Sequence, residues 1–144
     1  MAINSIKYDL KDLDFEDTQM LYVVTLVITM LHMAYVDGEY APAEKKYINK
    51  ILSLFTQYQS EINRSVSYFN SSIQKEKIVI ELLSLCKKKF SKQEMRTLIT
   101  HSAKVLTVDG YVHEQEQFLM KSYIFAAGLP IKTYDDLIHE IQYS

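Results

Sequence analysis

The sequence predicts an all-α, single-domain bundle of about seven helices, and three observations lead there. Only 3 Gly and 2 Pro occur in 144 residues, whereas average Gly usage of about 7% would give about ten. So few turn-formers cannot serve the many short strands of a sandwich or barrel. Apolar residues recur at helical rather than strand spacing along most of the chain. Finally, a helix–Asp-Gly–helix pattern occurs twice, 72 residues apart, which predicts two pseudo-symmetric units rather than a solenoid. No linker or low-complexity stretch divides residues 1–144. A chain of this length buries ~70% of its unfolded surface without disulfides.

Residues 1–16 read as an acidic leader. The first 17 residues hold Asp9, Asp12, Asp14, Glu16 and Asp17 against Lys7 and Lys11, unlike a secretory or transit peptide. From Asp17 to Val36 comes an apolar helix with no Asp, Glu, Lys or Arg after Asp17. It is just short of the ~20 apolar residues of a membrane span. Thr25, Thr29 and His32 interrupt it and basic anchors do not flank it. It is therefore expected to be a central helix and not a transmembrane segment.

Pro42 suits the first position of the next helix, with Glu44 at its third. Gln59 to Ser72 forms a polar helix carrying Val66, Tyr68 and Phe69, and Lys75 to Phe90 another with Ile78, Leu82, Leu85 and Cys86 on one face. Lys87, Lys88 and Lys89 fall at its C-terminal end, where the macrodipole favours cations. Ser91-Lys92-Gln93-Glu94 is a capping box opening a helix to about Val108, with Met95, Leu98, Ile99, Ser102 and Leu106 along one side. Arg96 and Lys104 make that helix plainly soluble. His113, Glu114 and Glu116 open the next helix, Gly128-Leu129-Pro130 stops it, and a short helix from Tyr134 to Gln142 follows.

The repeat aligns Ala34-Tyr35-Val36-Asp37-Gly38 with Leu106-Thr107-Val108-Asp109-Gly110, and each Asp is followed seven residues later by Glu44 or Glu116. Tyr40, Tyr47, Ile48, Ile51 and Leu52 fall on Val112, Leu119, Met120, Tyr123 and Ile124. The Asp, Gly and Glu match the fifth, sixth and twelfth positions of an EF-hand loop. Its first and third positions are instead Met33 and Tyr35, or Val105 and Thr107. Neither loop alone supplies the six to eight oxygens of a calcium site, so an EF-hand proper is excluded. Two readings stay open. A cation can bind if carboxylates combine with backbone carbonyls, water or the other loop, with Glu39 and Glu114 adding charge. Alternatively, Gly38 and Gly110 end helices in a left-handed conformation, the Asp residues bond loop amides, and each Glu caps the following helix.

At these residues the chain resembles the TerB-like family of tellurite-resistance and stress-response proteins, also found as the N-terminal part of some membrane-anchored J-domain proteins. The likeness rests on Val36-Asp37-Gly38-Glu39-Tyr40-Ala41-Pro42-Ala43-Glu44 and Val108-Asp109-Gly110-Tyr111-Val112-His113-Glu114-Gln115-Glu116, and spans about Thr18 to Leu129. The resemblance implies a compact helical domain without enzymatic activity, acidic residues that bind a divalent metal, and for some members a membrane-associated protein partner. By motif position the implied ligands are Asp37, Glu44, Asp109 and Glu116, with Glu39, Glu114 and His113 as further donors. Ala43 stands where relatives often carry another acid, and Tyr40 replaces the usual Val or Ile. The second turn, with Glu114 and His113 beside it, is therefore the better candidate. Calcium, magnesium, manganese and zinc are not distinguished, and no organic cofactor is implied.

Other chemistry finds little support. His32, His101, His113 and His139 form no paired zinc motif, and His32 and His101 are expected to be hydrogen-bonded core histidines. The lone Cys86 precludes an intramolecular disulfide and points to a cytoplasmic protein; on its apolar face it is expected to be buried and inert. No P-loop, G-x-G-x-x-G or G-x-S-x-G occurs. A net charge of −2 does not suggest a nucleic-acid partner. Among 11 tyrosines, Tyr22, Tyr47 and Tyr123 suit amphipathic faces, and Tyr40 and Tyr111 are candidate partner-binding residues. The competing function is thus a metal-free interaction domain for a membrane or signalling partner.

Overall fold

The charge-free run forms helix α1 (Thr18–Tyr35), around which the other helices pack. A computed structural model describes residues 18–35, 42–107 and 114–142. The remaining helices are α2 (Pro42–Leu52), α3 (Gln59–Ser71), α4 (Lys75–Lys89), α5 (Lys92–Thr107), α6 (Glu114–Ala126) and α7 (Thr133–Gln142), with no strand among the described residues. A 3-10 stretch, Ser53–Tyr58, joins α2 to α3. The fold is all-α, as expected. The acidic leader lies outside the described residues.

α1 packs most extensively against α5 and α4, and also touches α2, α3 and α6. Its burial is nearly complete from Leu21 to Ala34, which explains a sequence apolar on every face. Its two buried threonines are satisfied locally. Thr25 Oγ1 donates to the Leu21 carbonyl at 2.8 Å and Thr29 Oγ1 to the Thr25 carbonyl at 2.7 Å. No helix among the described residues is long and apolar enough to cross a membrane.

The two motif-bearing turns, 36–41 and 108–113, lie outside the described residues. The helices beside them keep the 72-residue offset: α1 ends at Tyr35 and α5 at Thr107, while α2 begins at Pro42 and α6 at Glu114. Burial keeps the same register, with Val23, Leu26, Val27, Met30, Leu31 and Met33 matched by buried Met95, Leu98, Ile99, Ser102, Ala103 and Val105. The Tyr22 hydroxyl donates to the carbonyl of Glu94, its counterpart in the second copy, at 2.7 Å.

The expected start and stop signals are present. Ser91 N–H donates to Glu94 Oε1 at 2.9 Å and Glu94 N–H to Ser91 Oγ at 3.1 Å, a reciprocal capping box at the start of α5. Ser91→Ala is expected to lower stability by about 1 kcal/mol, read as a fall in the urea midpoint with an unchanged slope. At the end of α6, Gly128 has φ +78°. Its N–H reaches the Phe125 carbonyl at 3.0 Å, and Leu129 N–H reaches the Ile124 carbonyl at 3.1 Å. This is a Schellman closure, and it requires the left-handed conformation glycine tolerates.

Two features are not apparent from the sequence. The 3-10 stretch contains Phe55 in a non-helical conformation (φ −128°, ψ 42°), which kinks the passage from α2 to α3. The buried face of α4 is also wider than the Ile78–Leu82–Cys86 line, because Val79 and Leu83 are buried as well, while Leu85 is only half-buried.

Candidate functional site

Glu44 and Glu116 occupy the third positions of α2 and α6. Both are buried, at 4% and 2% exposure, although carboxylates are almost never fully buried unless paired. A helix N-terminus offers partial positive charge and unsatisfied N–H groups, so an acid in the first turn is locally favoured. The two carboxylates are buried to a similar degree, and a desolvated carboxylate needs close compensation. The Tyr134 phenol is raised above its usual range first by burial, then by the charges of Asp135 and Glu116.

Glu114 opens α6 and is exposed, lining a shallow depression of about 500 Å³ with Glu76, Gln115, Phe118 and Leu119. Asp37, Glu39, Tyr40, Asp109, Tyr111 and His113 lie outside the described residues. Among the described residues, no group of three His, Cys, Asp or Glu side chains is placed to hold a metal ion. A cation at either turn therefore depends on 36–41 and 108–113 for the rest of its donors.

The two histidines expected to be hydrogen-bonded in the core are hydrogen-bonded but only half-buried, and each meets a tyrosine from the other copy. His32 Nδ1 of α1 is hydrogen-bonded to the Tyr123 hydroxyl of α6. His101 Nδ1 of α5 is 3.1 Å from the Tyr47 hydroxyl of α2. Burial, with a smaller contribution from Lys75, lowers His32 from 6.5 to about 4. His101 is lowered by burial and then by Lys104, so both rings are neutral near pH 7. Burial, and secondarily Glu76, pushes the Tyr123 phenol upward. Cys86 is buried, as expected, with Sγ 3.2 Å from Thr25 Oγ1.

One surface was missed from sequence. Phe118 and Phe125, seven residues apart on α6, are 72% and 81% exposed. They line a groove of about 660 Å³ between α4 and α6 with Ile80, Ser84, Lys87 and Lys121. Helical spacing could have placed them off the face carrying Leu119, Met120, Tyr123 and Ile124.

No curated protein and no solved structure matches the chain. The family profile described as "Tellurite resistance protein TerB" matches residues 24–138, a stretch that runs from α1 into α7 and takes in both Asp-Gly turns. With most of its length covered by that match, and with the helical fold and paired first-turn glutamates in place, the chain belongs to the TerB family.

Proposed function

We propose that this TerB-family chain is a non-catalytic tellurite-resistance and stress-response module that binds a divalent cation at its Asp-Gly turns. Glu44 with Asp37, and Glu116 with Asp109, are the proposed ligands. The observation that carries the reading is the burial of both Glu44 and Glu116 at the same position of α2 and α6. Those residues could serve as first-turn anions alone, but a cation would also offset Asp37 and Asp109, which follow the C-terminal ends of α1 and α5. The donor set is mainly carboxylate oxygen, suited to calcium, magnesium or manganese, with His113 the one nitrogen donor beside the second turn.

Calorimetric titration of the 144-residue chain with each of calcium, magnesium, manganese and zinc tests this. The expected result is saturable heat for at least one ion, weakened about tenfold or more in Asp37→Asn/Asp109→Asn. No saturable heat in the parent overturns cation binding, and undiminished heat in the double variant overturns the assigned ligands. The exposed Phe118 and Phe125 favour a second reading, an interaction domain with no metal. That reading predicts a silent titration together with a partner released by Phe118→Ser/Phe125→Ser.

A further inference from the structure

We propose that the α4–α6 groove is a self-association surface. Two copies of the chain pair across it antiparallel, with Phe118 of each protomer against Phe125 of the partner subunit. This inference does not rest on cation binding. Phe118 and Phe125 are 72% and 81% exposed, and Ile80 and Ala126 extend the apolar lining between the helices. Two exposed phenylalanines on one helix face form a patch of the kind that marks an interaction site.

The arrangement of charge identifies the occupant. Glu76 and Glu114, near the starts of α4 and α6, border one depression. Lys87, near the end of α4, packs against Gly128 just past α6. The two helices therefore run side by side in the same direction. The groove is acidic where they begin, with Glu76 and Glu114 exposed, and basic where α4 ends, with Lys87 and Lys88 exposed. A face with opposite charges at its two ends is complementary to a reversed copy of itself. A two-fold axis across the groove supplies that reversal.

The rings and the charges require the same axis. Phe118 and Phe125 lie nearly two turns apart, about 10 Å along one side of α6. Glu76 and Lys87 are about three turns apart, ~16 Å along one side of α4. Glu76 is level with the first turn of α6 and Lys87 with its end, so the two midpoints coincide beside Lys121 and Ser122. One axis through that point sets Phe118 on Phe125 of the partner subunit. The same axis sets Glu76 and Glu114 opposite Lys87 of the partner subunit. An unlike partner would need no such coincidence. Lys121 contributes no charge to the pairing, because its Nζ sits over the Tyr134 ring, 5.1 Å from the centroid.

The available area sets the strength. Rings so exposed offer roughly 300 Å² per copy. Four of them supply about half of the ~1,200 Å² at which stable interfaces begin. The expected dimer is therefore reversible, with a Kd on the order of 10 µM.

Sedimentation equilibrium of the full chain, from about 1 to about 500 µM, tests this. The apparent mass is expected to climb from one chain toward two as concentration rises. Phe118→Ser/Phe125→Ser, which alters only exposed side chains, should weaken association about tenfold or more. Lys87→Glu and Glu76→Lys should each weaken it about threefold, and an equimolar mixture of the two should associate more tightly than either alone. The mass of one chain at every concentration overturns the proposal and leaves the groove to an unlike partner. Association undiminished in the phenylalanine variant overturns the assigned face. A mixture that associates no better than its components overturns the antiparallel pairing.

Discussion

Replacing Tyr123 with alanine is expected to destabilise the protein by about 4 kcal/mol, the largest single effect foreseen. Tyr123 is 0% exposed and is the largest fully buried side chain among the described residues. Its ring packs against His32, with centroids 5.8 Å apart, and its hydroxyl is hydrogen-bonded to His32 Nδ1. Truncation opens a cavity between α6 and α1 and leaves a partly buried imidazole nitrogen without that hydroxyl. Tyr123→Phe separates the two contributions: it keeps the packing and is expected to cost about 1–2 kcal/mol. Against a typical total of about 5–15 kcal/mol for a domain, the alanine variant sits near the edge of folding. Urea unfolding followed by circular dichroism measures both changes. A phenylalanine variant as unstable as the alanine variant would mean that the hydrogen bond, and not the ring, dominates.

Acidification is expected to remove about 2 kcal/mol of stability through His32, after allowance for its partial exposure. In the folded chain burial, assisted by Lys75, holds His32 neutral down to about pH 4. In the unfolded chain the same ring takes a proton near 6.5. Between these values the unfolded state binds more protons, so stability rises with pH across the window. The contribution is complete above about 6.5 and is lost as pH falls through about 4. His101 is shifted in the same direction and adds with the same sign. The check compares urea midpoints at about pH 7 and about pH 4.5, inside that window, for the parent and His32→Gln, which retains a hydrogen-bonding group for Tyr123. Equal losses in the two proteins would show that His32 does not supply the effect.

Much of the architecture is legible in the amino-acid order itself. Ser91 and Glu94 announce a capping box, Pro42 a first helical position and Gly128 a left-handed stop, because each acts on backbone groups within a few residues. The charge-free α1 is legible as a central helix because no other soluble arrangement covers an all-apolar surface. The 3-10 stretch is not, since Ser53 to Tyr58 carries neither Gly nor Pro to mark the kink at Phe55. The site is legible only as a pattern. The Asp-Gly-x5-Glu spacing singles out Glu44 and Glu116, yet that spacing also suits a capped helix with both acids exposed.

Periodicity, turn scarcity and the 72-residue repeat are enough to establish the helical class, the helix order and the family resemblance, because these depend on interactions close along the chain. Three things are decided only by the packed molecule: the burial of both first-turn glutamates, the pairing of His32 with Tyr123 and His101 with Tyr47, and the exposure of Phe118 and Phe125. Each depends on which helix faces which across 54 or more residues of chain, or on a helix face that no neighbour covers. A helical period marks a residue's side of its own helix, but not the neighbour that side will meet.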